Sequence, residues 1–113
     1  MNNREFGKKG EDLACEYLIK NGYDIIERNK HFSKFCEIDI IAKYKNKTVF
    51  IEVKTRKSNA FGSPMEAITP QKYKNIKTGV LSYIQENKIR NYQIDAIAIT
   101  LTPEIKIEHL KNI

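Results

Sequence analysis

The sequence predicts an α/β domain, a mixed β-sheet flanked by helices in the order αβββαββ. Three observations lead there. Apolar residues recur at helical spacing in two stretches, one near the N-terminus and one after Thr69-Pro70. Between and after them lie five short runs rich in β-branched and aromatic residues, several of alternating polarity. At 113 residues the chain can bury one core but not two, so a single domain over 1–113 is expected.

The first helix reads from Phe6 to about Asn21, behind a loose leader from Asn2 to Arg4. Phe6, Leu13, Ala14, Tyr17 and Leu18 form its stripe, with Glu11 at the edge and Gly22 as the stop. Gly7 and Gly10 each cost helix propensity, roughly 1 kcal/mol. That cost makes sense if backbone passes close to something there; otherwise the helix starts later. Tyr23 to Asn29 reads as the first strand. Cys36 to Ala42 and Val49 to Arg56 read as a hairpin around Tyr44-Lys45-Asn46-Lys47, whose Asn tolerates positive φ. A loop follows from Lys57 to Met65, with Ser58, Asn59, Gly62, Ser63 and Pro64. Thr69 caps a second helix that opens on Pro70 and runs to about Glu86, with Tyr73, Ile76, Val80, Leu81 and Ile84 as its stripe. Tyr92 to Ile99 is the fourth strand. Pro103 breaks it, and Ile105 to Glu108 is a short strand suited to a sheet edge.

The hairpin carries the chemistry. With Lys45-Asn46 as a two-residue turn, Ala42 faces Val49, Ile40 faces Ile51 and Ile38 faces Val53 on one apolar face. The other face then sets Asp39 opposite Glu52 and Glu37 opposite Lys54, roughly 5 Å apart at Cβ. Three carboxylates so placed repel unless a cation sits among them. Asp39 and Glu52 offer hard oxygens to Mg²⁺, and the backbone carbonyl of Val53 is a further donor. Lys54 is placed to act on an attacking water and to offset charge on a phosphoryl group. The plain alternative is a solvated strand face with Glu–Lys cross-strand pairs such as Glu37–Lys54.

Composition narrows the partners. No apolar run approaches a membrane span, and no apolar region of a signal peptide follows the polar start. A cytoplasmic location is the default expectation. Cys15 and Cys36 lack metal-ligand spacing and read as free, half-buried thiols. Twenty Lys and Arg against fourteen Asp and Glu give a net charge of +6, which favours polyanions. Only four of those twenty are Arg, and a lysine-rich source genome would give the same balance. Lys8-Lys9, Arg56-Lys57 and Lys72-Lys74-Lys77 could follow a phosphate backbone, or form solvated faces. His31 and His109 read as surface histidines, and Asp95 as structural.

Asp39 with Glu52-Val53-Lys54 resembles the D…ExK signature of the PD-(D/E)xK, or restriction-endonuclease-like, nucleases. Gly10 to Ala14, Tyr17-Leu18, Gly22-Tyr23, Arg28-Asn29, Glu37 to Ala42, Val49 to Arg56, Gly62 to Ile68 and Lys72 together look like the YraN-like family. That family is regarded as predicted endonucleases related to archaeal Holliday-junction resolvases. The resemblance implies a restriction-endonuclease-like fold and an endonuclease that uses Mg²⁺ or Mn²⁺. Catalytic residues would be Asp39, Glu52 and Lys54, with Glu11 completing the metal set. It implies a polar role beside the site for Lys72, nucleic acid such as branched DNA as substrate and, by analogy with resolvases, a homodimer. Cys36 departs from the usual Gly before Glu-Ile-Asp, which bears on the strand's approach to the site. A non-catalytic nucleic-acid-binding module or an accessory protein of the same fold is the alternative.

Overall fold

The computed structural model describes residues 2–34, 36–58, 66 and 68–113. Much of the stretch Asn59 to Ala67, including Gly62-Ser63-Pro64-Met65 of the family resemblance and most of the expected loop, lies outside the described residues. The predicted order is observed: α1 (Asn3–Lys20), β1 (Asp24–Ser33), β2 (Cys36–Tyr44), β3 (Lys47–Arg56), α2 (Pro70–Glu86), β4 (Tyr92–Thr100) and β5 (Lys106–Leu110). The strands form one sheet in the order β1-β2-β3-β4-β5, with β5 at an edge as expected. Among the described residues, only β3 and β4 run parallel, joined through α2; the other neighbours are antiparallel. This five-stranded mixed sheet with two helices is an α/β architecture consistent with the restriction-endonuclease-like fold.

Each helix covers one face of the sheet. Ala14 and Leu18 of α1 pack on Ile40, Ala42, Val49, Ile51, Ile97 and Ile99. Ile76, Val80 and Tyr83 of α2 pack on Ile41, Phe50 and Ile94. Both faces are therefore apolar over most of their length, and the acidic face expected from the hairpin is confined to one end. Leu81, expected in the α2 stripe, is 48% exposed, and Tyr83 takes its place against Phe50.

Local signals explain the helix ends. The leader is helical: Asn2 caps α1, its side chain accepting from the N–H of Glu5 at 2.9 Å. At the other end Gly22 has φ 88°, its N–H reaching the Ile19 carbonyl and that of Tyr23 the Leu18 carbonyl. α2 stops the same way, with Ile89 bonded to Ile84, but Lys88 takes the left-handed position at φ 52°. Thr69 caps α2, accepting from Lys72 N–H at 3.1 Å. In the hairpin turn the positive φ falls on Lys45 (56°), not on Asn46.

Gly10 shows why α1 tolerates a glycine. A Cβ there would land on the side chain of Thr55, so the Thr55 side chain packs directly on the α1 backbone where the helix crosses β3. Gly7 has open space and no such reason.

Candidate active site

The hairpin register holds from Tyr44 opposite Lys47 to Ile40 opposite Ile51. Beyond that it departs from expectation, and among the described residues no further pair continues it. The Val53 N–H, which a longer ladder would give to a β2 carbonyl, instead goes to Asp39 Oδ2 at 2.8 Å. A carboxylate has replaced a backbone acceptor, and the strands part there. Ile38 accordingly leaves the Ile40–Ala42 face and joins Ile41 and Phe50 beneath α2.

The parted strands open a cleft of about 650 Å³. Glu11 of α1, Glu37 and Asp39 of β2, Glu52 and Lys54 of β3, and Lys72 of α2 all reach it. Asp39 is half-buried and Glu52 only 6% exposed. Burial, then the charge of Glu52, pushes the Asp39 carboxyl up to about 8, against the opposing hydrogen bond from Val53. The two acids thus stand close enough to repel through a low-dielectric environment.

The structure pairs the other side chains differently from the sequence reading. Lys72 stands beside the acids, as the resemblance implies, but pairs with one of them: its Nζ lies 2.7 Å from Glu52 Oε1. Glu37 faces His31 at 3.6 Å across the β1–β2 ladder and not Lys54, because the β2–β3 ladder has ended. Lys54 is exposed on the cleft. Glu11 is held by Arg28, Nη2 to Oε1 at 3.2 Å, and the same nitrogen binds Asp12 at 2.8 Å. That guanidinium keeps the Asp12 carboxyl below its usual range. Arg28 was not among the predicted site residues; its place in the family resemblance was the available signal.

Val53 lines the cleft, and in an extended strand its carbonyl leaves by the same edge as the N–H given to Asp39. Lys8 pairs with Asp12 at 3.5 Å, Lys9 is exposed, and Arg56 Nε donates to Thr100 at 3.1 Å. Lys57 is exposed, its carbonyl receiving the Thr102 N–H at 2.8 Å. None of these four lines the cleft itself.

Cys36 lines the cleft beside the acids and packs its side chain towards α2. Its Sγ donates to the Asn75 carbonyl at 2.8 Å and occupies space that a Cβ on Gly79 would enter, at 2.6 Å. Both cysteines are free, and both are buried where half-burial was expected. Burial raises both thiols. His109 also corrects the sequence reading. Its side chain is 5% exposed, bonded through Nε2 to the fully buried Asp95 (2.7 Å) and through Nδ1 to the Tyr17 hydroxyl (2.9 Å). Gln93 and the Asn112 N–H complete the donors around Asp95, far from the cleft lining.

Among the described residues, no three His, Cys, Asp or Glu side chains converge as a preformed ligand set. Asp39 and Glu52 nonetheless fit a hard divalent ion: they are carboxylates whose mutual repulsion such an ion would relieve. Glu11 lines the same cleft but is tied to Arg28.

Fold and cleft together define a restriction-endonuclease-like α/β protein with an acid-lined cleft where its central hairpin opens. The model of an uncharacterised protein family, UPF0102, matches residues 10–99. A UPF0102 protein of Caldicellulosiruptor saccharolyticus is 46% identical, over 99% of this chain and 98% of its own. Those of Syntrophomonas wolfei and Clostridium botulinum are 41% and 42% identical, each over 97% of this chain and over 97% and 94% of theirs. The chain belongs to UPF0102, the YraN-like family.

Proposed function

We propose that this protein is a metal-dependent endonuclease that binds DNA and hydrolyses phosphodiester bonds with Mg²⁺ or Mn²⁺. One observation carries the reading: Asp39 and Glu52 are held together at the parted end of the hairpin, with Lys54 on the same cleft. A bound divalent ion supplies a water acidic enough to attack near neutral pH and positive charge for the phosphoryl oxygens. Asp39 and Glu52 would hold it, with the Val53 carbonyl on the same edge and Glu11 assisting. Lys54 orients the attacking water and offsets the charge that develops on phosphate. Lys8, Lys9, Arg56 and Lys57 lie outside the cleft lining, where they can meet the backbone of a duplex without occupying the cleft. A cytoplasmic location and a homodimer go with this reading.

The test is cleavage of branched, nicked and single-stranded DNA with Mn²⁺, beside Glu52→Ala and Lys54→Ala. Cutting by wild type alone supports the proposal; no cutting, or equal cutting by the variants, ends it. The Lys72–Glu52 ion pair favours a second reading, a non-catalytic nucleic-acid-binding module or accessory protein in which that pair is a permanent lock. Salt-sensitive DNA binding with no heat on titrating Mn²⁺ would support this alternative.

A further inference from the structure

Lys72 stands where helix electrostatics disfavours it. Thr69 caps α2, Pro70 opens it, and Lys72 is in the first turn, which holds no acidic residue. The backbone dipole makes that end positive, which opposes a lysine there. It is nevertheless held in place: the Thr69 side chain accepts its N–H at 3.1 Å, and its ammonium lies 2.7 Å from Glu52 Oε1. The two partners differ in exposure. Glu52 is 6% exposed at the side chain, whereas Lys72 is 40% exposed. A buried carboxylate thus depends for its counter-charge on a side chain that can swing into solvent.

The neighbouring groups sharpen the contrast. Asp39 feels the charge of Glu52, and Glu11, Glu37 and Lys54 reach the same cleft. Lys54 lies two residues along the same strand, yet it is Lys72, brought by α2 from the facing layer, that pairs with Glu52. A lysine that crosses between layers to a buried acid is placed by the fold.

We propose that Lys72 is an exchangeable counter-ion: it neutralises Glu52 in the metal-free protein and yields that carboxylate when a divalent cation is taken up. The inference rests on the metal-dependent reading above. An ammonium and a divalent ion compete for one carboxylate, so Lys72 weakens cation binding by direct occupancy and by repulsion. Released, it points its charge from the first turn of α2 into the cleft, where a phosphate can meet it. The exchange would therefore keep Glu52 neutralised when no ion is present and free a phosphate contact when one is taken up.

Calorimetric titration of Mn²⁺ into wild type, Lys72→Met, Lys72→Gln and Lys72→Arg tests this. Loss of the charge should tighten Mn²⁺ binding about tenfold, the lower end of what one adjacent charge does to a carboxylate. Lys72→Gln must behave as Lys72→Met, because it keeps a donor but no charge, while Lys72→Arg must stay near wild type. Equal or weaker binding by both neutral variants overturns the exchange while leaving the metal site standing. If wild type and all variants take no Mn²⁺, the exchange falls together with the metal-dependent reading.

Discussion

The carboxylate of Asp39 accepts the backbone N–H of Val53 at 2.8 Å, at the point where β2 and β3 stop pairing. One side chain thereby does two things. It satisfies a donor that the opened ladder would leave unpaired, and it is held facing Glu52 within the cleft. The site is a consequence of where the hairpin ends.

In the metal-free protein Asp39 makes stability depend on pH. Its folded carboxyl titrates at about 8, against about 3.9 in an unfolded chain. The folded state therefore binds the proton more tightly. The associated stability is present in full below the unfolded value and is lost as pH rises through about 8. Asp39→Asn stays neutral and keeps an acceptor for Val53. Melting curves in EDTA should coincide for the two proteins near pH 4 and separate in favour of Asp39→Asn towards pH 9. Parallel behaviour across that range would refute the shift.

The acids should not contribute equally to activity. Glu11 is shared with Arg28, so Glu11→Gln is expected to reduce Mn²⁺-supported cleavage by about 10- to 100-fold, the range for groups that act on a metal indirectly. Asp39→Asn and Glu52→Gln should lose more. Steady-state rates on the substrate that wild type cuts best will rank them. A Glu11→Gln loss as large as that of Glu52→Gln would make Glu11 a direct ligand.

Gly10→Ala tests the crossing of α1 over β3. The added methyl meets Thr55, and overpacking of this kind costs about 1–3 kcal/mol. Thr55→Ala should recover part of that loss in the double variant, measured by denaturant unfolding. Gly7→Ala, with open space around it, should be neutral or stabilising.

His109 anchors β5 to β4 and α1 through Asp95 and Tyr17. His109→Phe should lower stability by about 1–3 kcal/mol, since it leaves a buried carboxylate short of a partner. Combined with Asp95→Asn, the loss should be smaller than the sum of the two single changes. Additive losses would show that the contact carries little energy.

Lys88 holds a left-handed position where glycine is the favoured residue. Lys88→Gly should therefore raise stability by about 0.5–1 kcal/mol, relieving strain that exceeds the entropy a glycine adds. A thermal melt gives the answer, and a lower midpoint would place the residue's value in contacts other than its backbone.

The chain's local patterns were sufficient for the element order, the hairpin turn, the caps at Thr69 and Gly22, and the presence of Asp39, Glu52 and Lys54 on two neighbouring strands; that these strands part where the acids sit came only with the fold. The former features depend on residues a few positions apart, so periodicity and turn chemistry encode them directly. Other features needed the packed layers. Lys72 reaching Glu52, Arg28 holding Glu11 and Asp12, His109 sealed against Asp95, and Tyr83 replacing Leu81 in the core join distant parts of the chain or follow from how the helices dock. Only packing brings such groups together and removes water from between them. The raised Asp39 carboxyl belongs with these features, because its charge is disfavoured by the surroundings that the fold assembles.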